Sequence, residues 1–128
     1  MAEQNPADSE LDRFILESID SVPHLEALLL IWTSRPNEWS NEALGERLYL
    51  DSAAGGIILE DLASRGLIAA VSGGPKQFRY EPGELDRLLA ALETAYRRDL
   101  IRITTMIHRK ASPAVLEFAR AFRFMKDK

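Results

Sequence analysis

The chain has 128 residues, 46% of them hydrophobic and 28% charged, with a formal net charge of −4. That size suits one domain with an appended helical arm, and the apolar content is enough for a core. The absence of cysteine excludes disulfides, thiolate zinc sites and cysteine nucleophiles.

The polar, acidic start MAEQNPADSE shows no signal-peptide pattern, and the apolar run 27–32 is far too short to cross a bilayer. A cytoplasmic location without membrane contact is therefore expected. The charge is uneven. Residues 1–83 hold six basic against fourteen acidic groups, and residues 84–128 hold ten against six. The front half is thus strongly acidic and the back half basic.

Residues 1–10 are expected to form a disordered leader. Leu11, Phe14, Ile15, Leu16 and Ile19 recur near helical spacing, so residues 11–19 read as a short amphipathic helix. Its apolar face must either cap its own domain or lie on a second subunit. Asp20 or Ser21 can cap the next helix, with Pro23 in its first turn, where a missing N–H costs nothing. That helix runs to about Ser34 through LEALLLIW, which is apolar nearly all round and so should be central. Arg35-Pro36-Asn37 ends it, because a residue before proline avoids the helical region. Trp39 suits a very short strand.

Ser40 caps a helix over 41–48, with Ala43, Leu44 and Leu48 inward. Asp51 or Ser52 caps the following helix, which reaches Arg65, and Gly66 fits its left-handed C-terminal cap. Residues 67–71 and 77–80 read as paired strands around the glycine-rich turn 72–75. Pro82 and Gly83 break the sheet. A long helix from Glu84 to Lys110 follows, with Leu85, Leu88, Leu89, Leu92, Tyr96, Ile103 and Ile107 in one stripe. At ~1.5 Å per residue it would be about 40 Å long, more than one small domain covers. Ser112 and Pro113 open a final short helix over 113–125.

This order, two short helices joined by a tight turn and then a hairpin, is a winged helix-turn-helix: mostly α, with a small β-hairpin, a long C-terminal helix and a final short one. The expected organisation is a leader (1–10), a winged helix-turn-helix domain (11–83) and a C-terminal helical dimerisation arm (84–128). The stripe predicts a homodimer interface through Leu92, Tyr96, Ile103, Ile107, Phe118 and Phe122.

Residues 20–80, through DSVPHLEALLLIW, WSNEALGERL, LEDLASRGLI and the wing FRYEP, resemble winged helix-turn-helix proteins of the bacterial MarR/PadR-like type. The resemblance implies a homodimeric regulator held by its terminal helices. It names neither target nor effector.

The second helix of the motif is unusual for a DNA reader. With Ile58, Leu62, Gly55 and Leu59 inward, the opposite face carries Ala53, Gly56, Ile57, Glu60 and Ser64, small, apolar and acidic where phosphate-binding and base-reading groups are usual. The groups available for DNA contact are Arg47, Ser52, Ser64, Lys76, Gln77 and Arg79, with Arg35 nearby. Gly55 and Gly56 each cost a helix roughly 1 kcal/mol relative to alanine. They mark either a loose helix start and close packing on the preceding helix, or a smooth face that another backbone approaches. A partner-facing surface of Ala53, Gly56, Ile57 and Glu60 is therefore the alternative to DNA.

His24 and His108 have no ligand-spaced partner, and Pro23 interrupts the register of Glu17, Asp20 and His24. No nucleophile elbow or phosphate loop is present. No metal, cofactor or catalysis is expected. The expected function is transcriptional regulation through DNA, with a protein-interaction module as the alternative. A third reading is a ligand pocket between the terminal helices.

Overall fold

The structure is a computed structural model that describes residues 8–111. It contains α1 (Asp8–Ser18), α2 (Val22–Thr33), α3 (Asn41–Leu48), α4 (Ser52–Ser64), β1 (Ala69–Val71), β2 (Gln77–Arg79), α5 (Asp86–Arg98) and α6 (Leu100–Ala111). The expected final helix, with Phe118 and Phe122, lies outside the described residues. So does most of the expected leader, although residues 8–10 already belong to α1.

α2 is the centre. Leu25, Ala27, Leu28, Leu29, Ile31 and Trp32 are all buried, as a helix apolar nearly all round requires. Local chemistry sets the helix starts. The Ser21 hydroxyl accepts from the His24 N–H, Ser40 from that of Ala43, and Asp51 from that of Ala54. Each satisfies one of the N–H groups a helix start leaves without a partner.

Two helices end in the same way. After α4, the Leu67 N–H bonds the Leu62 carbonyl and the Gly66 N–H that of Ala63, with Gly66 at φ +76°. This is a Schellman end, whose left-handed position favours glycine. After α3 the Leu50 N–H reaches back to the Gly45 carbonyl, and the left-handed residue is Tyr49, at φ 61°.

β1 and β2 pair antiparallel, with Ala70 opposite Phe78. Trp39 adds a single bridge to Phe78 through two backbone bonds of 2.7 and 2.9 Å, so the expected short strand is one residue. Trp39, Phe78 and Tyr80 are buried and join the wing to the helical core.

The expected long helix is interrupted. Asp99 has φ −125° and ψ 50° and separates α5 from α6. The backbone bonds from Asp99 to Ala95 and from Ile103 to Asp99 persist, so the break is a bend rather than a loop. Both halves pack on α1 and on α2 of the same chain. Burial explains the bend: it keeps both halves of the apolar stripe on one small core.

Much of the stripe expected at a dimer interface is thus internal to the chain. Leu92, Ile103 and Ile107 are fully buried within the chain. Tyr96 is half-buried and donates to Glu26 at 3.1 Å. Its phenol is pushed up to about 12, by burial first and then by Glu26. Leu16, Leu100 and Ile101 are the large apolar side chains left exposed around α1 and α6.

α1 has no basic residue in its own last turn, and cations from elsewhere meet its terminal carbonyls. Lys110 Nζ donates to Ile15, Leu16 and Ile19 at 3.3, 2.5 and 2.5 Å, and Arg65 donates to Glu17 at 3.0 Å. Burial holds the Lys110 ammonium below its usual range.

Candidate nucleic-acid interface

α3 and α4 meet backbone to backbone. A Cβ on Gly55 would lie 2.7 Å from the Asn41 carbonyl oxygen and 3.2 Å from the Gly45 nitrogen. One on Gly45 would lie 2.6 Å from the Leu50 oxygen. These glycines set the helix–helix distance. Gly56 is buried as well, and its missing Cβ would meet the Asn41 side-chain amide at 2.7 Å. It thus belongs to the packed side of α4 and not to the outward face assigned from helical phase. Close packing is the reason for both glycines.

The outward face of α4 is Ser52, Ala53, Ile57, Glu60 and Ser64, all exposed. Ile57 retains 62% of its surface. Ser64 is turned back, donating to the Asp61 carbonyl at 2.9 Å. In the turn between α3 and α4, Tyr49 is 95% exposed. A tyrosine held at positive φ with its ring in solvent costs about 1–3 kcal/mol of backbone strain without burying anything in return.

The wing lies next to α4, because Lys76 pairs with Glu60. Arg79 donates to Glu81 at 2.8 Å and lies 3.5 Å from Glu38; Glu81 is the main reason its guanidinium holds its proton more firmly than usual. Gln77 is half-buried at the end of the hairpin. Arg47 lies 5.5 Å over the Trp39 ring, and Arg35 lies 4.3 Å over Trp32. The two wing cations thus already face carboxylates of this chain. Such exposed pairs are weak, about 0–1 kcal/mol, and a phosphate can displace them.

A second cluster is assembled by the fold. His24 Nε2 lies 2.8 Å from Asp61 Oδ2 and 4.0 Å from Asp20 Oδ2. His24 Nδ1 is 2.6 Å from Ser21 Oγ, and Arg65 Nη2 donates to Asp20 Oδ1 at 2.7 Å. The sequence pairs His24 with nothing beyond its own helix start, whereas the structure supplies Asp61 from α4, 37 residues away.

No protein-family model matches the chain, and no curated protein matches it by sequence. Solved structures do match by shape. The adhesin competence repressor (AdcR) from Streptococcus pyogenes superposes with a TM-score of 0.52 at 16% identity, over 87% of this chain and 80% of that one. A C-terminally His-tagged form of the same repressor gives 0.50 at 17% identity, over 94% and 92%. At such identities the likeness shows the fold alone: this chain has a winged-helix architecture.

Proposed function

We infer that this chain is a transcriptional regulator that binds DNA through α4 and the wing, without catalysis. The observation that carries the reading is the adjacency of the wing and the outward face of α4, joined at Lys76 and Glu60. In this arrangement a helix can enter the major groove while the wing meets the flanking backbone. The fold is shared with a protein named a repressor, which supports the same reading.

The contact residues in this reading are Arg47, Ser52, Ser64, Lys76, Gln77 and Arg79. Three of the six are cations, and phosphate must displace Glu60, Glu38 and Glu81 to reach Lys76 and Arg79. Binding is therefore weak in isolation and salt-dependent, by about 0.9 in log–log slope for each cation that meets a phosphate. A homodimer doubles the contacts and belongs to the same proposal. With Leu92, Ile103 and Ile107 inside the chain, Leu16, Leu100 and Ile101 are the exposed large apolar groups around α1 and α6 that, among the described residues, suit a second copy. Electrophoretic mobility at stepped salt tests DNA binding: a steep loss of affinity with salt supports it, and no shift even at low salt removes it. Solution mass tests the dimer, which a monomer contradicts.

One observation favours a second reading. Ile57, one turn from Glu60 on α4, and Tyr49, in the turn before α4, are exposed large side chains, a composition closer to a protein interface than to a phosphate-binding one. On that reading Ala53, Ile57 and Glu60 face a protein partner, and binding survives salt that abolishes any DNA shift.

A further inference from the structure

The chain's two histidines have no ligand-spaced partner in sequence order, but the fold brings one of them into a converging donor set.

 His24 Nε2, Asp20 Oδ2 and Asp61 Oδ2 lie within 4.8 Å of one another. They come from three places: the link before α2, the first turn of α2, and α4. We propose that these three atoms form a binding site for one divalent first-row transition cation, zinc being the best fit.

The chemistry supports this in three respects. One imidazole and two carboxylates form a nitrogen and oxygen set of the kind that zinc and its neighbours accept, and the chain has no thiolate to compete. The donors also carry the outer hydrogen bonds that orient ligands: Ser21 Oγ sits 2.6 Å from His24 Nδ1, and Arg65 holds Asp20 by Oδ1 at 2.7 Å. Oδ2 is thereby left to face the imidazole. Finally, the site is reachable, since the His24, Asp20 and Asp61 side chains are 12%, 36% and 41% exposed.

A carboxylate only accepts, so the bond from His24 to Asp61 needs a proton on Nε2. The cation replaces that proton. His24 then binds through Nε2 as the neutral tautomer protonated at Nδ1, and Ser21 Oγ accepts the Nδ1 proton. Two carboxylates balance the charge of the cation, and water fills the remaining coordination. The cation would tie α4 to the start of α2. The site stands whether or not the chain binds DNA.

The test is titration of the chelator-treated full chain with cobalt(II) and with zinc. The expected result is one cation per chain, visible ligand-field absorption with cobalt, and a raised melting temperature with zinc. His24→Gln and Asp61→Asn should lose all three effects, whereas His108→Gln, at an exposed histidine outside the site, should keep them. Ser21→Ala should weaken binding about 10–100-fold. Asp20→Asn, at a half-exposed position, guards against a folding defect in the other variants, and it should weaken binding while leaving the metal-free melting temperature nearly unchanged. Absence of one-to-one binding by the unaltered chain, or equal binding by His24→Gln and Asp61→Asn, overturns the proposal.

Discussion

The helix-turn-helix and the helices that flank it are packed by opposite means. Around α3 and α4, backbone stands where side chains of Gly45 and Gly55 would lie, and the Asn41 amide fills the place of a Gly56 side chain. α1, α5 and α6 touch through Leu11, Ile15, Leu89, Leu92, Ile103 and Ile107, all buried. In the first region there is no room to add an atom. In the second there is none to remove. The charge differs too: the outward face of α4 is small and acidic, and the sequence of 84–128 is basic.

The packing contrast ranks substitutions. Leu92→Ala should cost about 2–5 kcal/mol, the loss of transfer energy plus a cavity, read from denaturant unfolding. Gly55→Ala places a methyl against backbone that cannot swing away. Overpacking of about 1–3 kcal/mol should exceed the helix gain of about 1 kcal/mol, so the variant is destabilised. Gly56→Ala meets the Asn41 side-chain amide, which can rotate where backbone cannot, and should cost less. Equal losses at 55 and 56 would contradict the backbone-contact account.

The two Schellman ends offer a finer comparison. Tyr49→Gly should stabilise the chain by about 1 kcal/mol, because the ring buries nothing and the left-handed strain is released. Gly66→Ala, at φ +76° with open space around it, should destabilise it by a similar amount. Thermal melts of the two variants should move in opposite directions.

The smallest effect is an alkaline one. Burial first and Asp86 second raise the Tyr80 phenol, and Tyr96 is raised to about 12. The unfolded phenols titrate near 10.0, so above that pH the folded chain binds more protons than the unfolded one. This contribution is complete below pH 10 and falls as pH rises through the folded values. Tyr80→Phe and Tyr96→Phe should each flatten the fall in a pH series of unfolding curves.

What was legible in the sequence was local. Ser21, Ser40, Asp51 and Gly66 announce helix ends through bonds that span a few residues, and the glycine-rich turn announces the wing. The bend at Asp99 was not legible, because the apolar stripe keeps one phase on both sides of it and only packing on α1 and α2 decides between straight and bent. The candidate site was less legible than the fold. Helical phase put Gly56 outward, yet α3 approaches so closely that this side of α4 is covered. The pairing of Lys76 with Glu60, and of His24 with Asp61, depends on tertiary placement that periodicity does not encode. Tyr49 gave no signal, since a left-handed end is read from glycine or asparagine.

The central claim is that α4 and the wing face DNA with their cations held back by carboxylates. The most direct measurement is the salt dependence of DNA affinity for the unaltered chain and for Glu60→Gln. Removing the carboxylate frees Lys76 and removes a repulsion, so affinity should rise, and the slope of log K against log salt should steepen by about 0.9. An unchanged or weaker affinity with an unchanged slope would contradict the placement of this face against DNA.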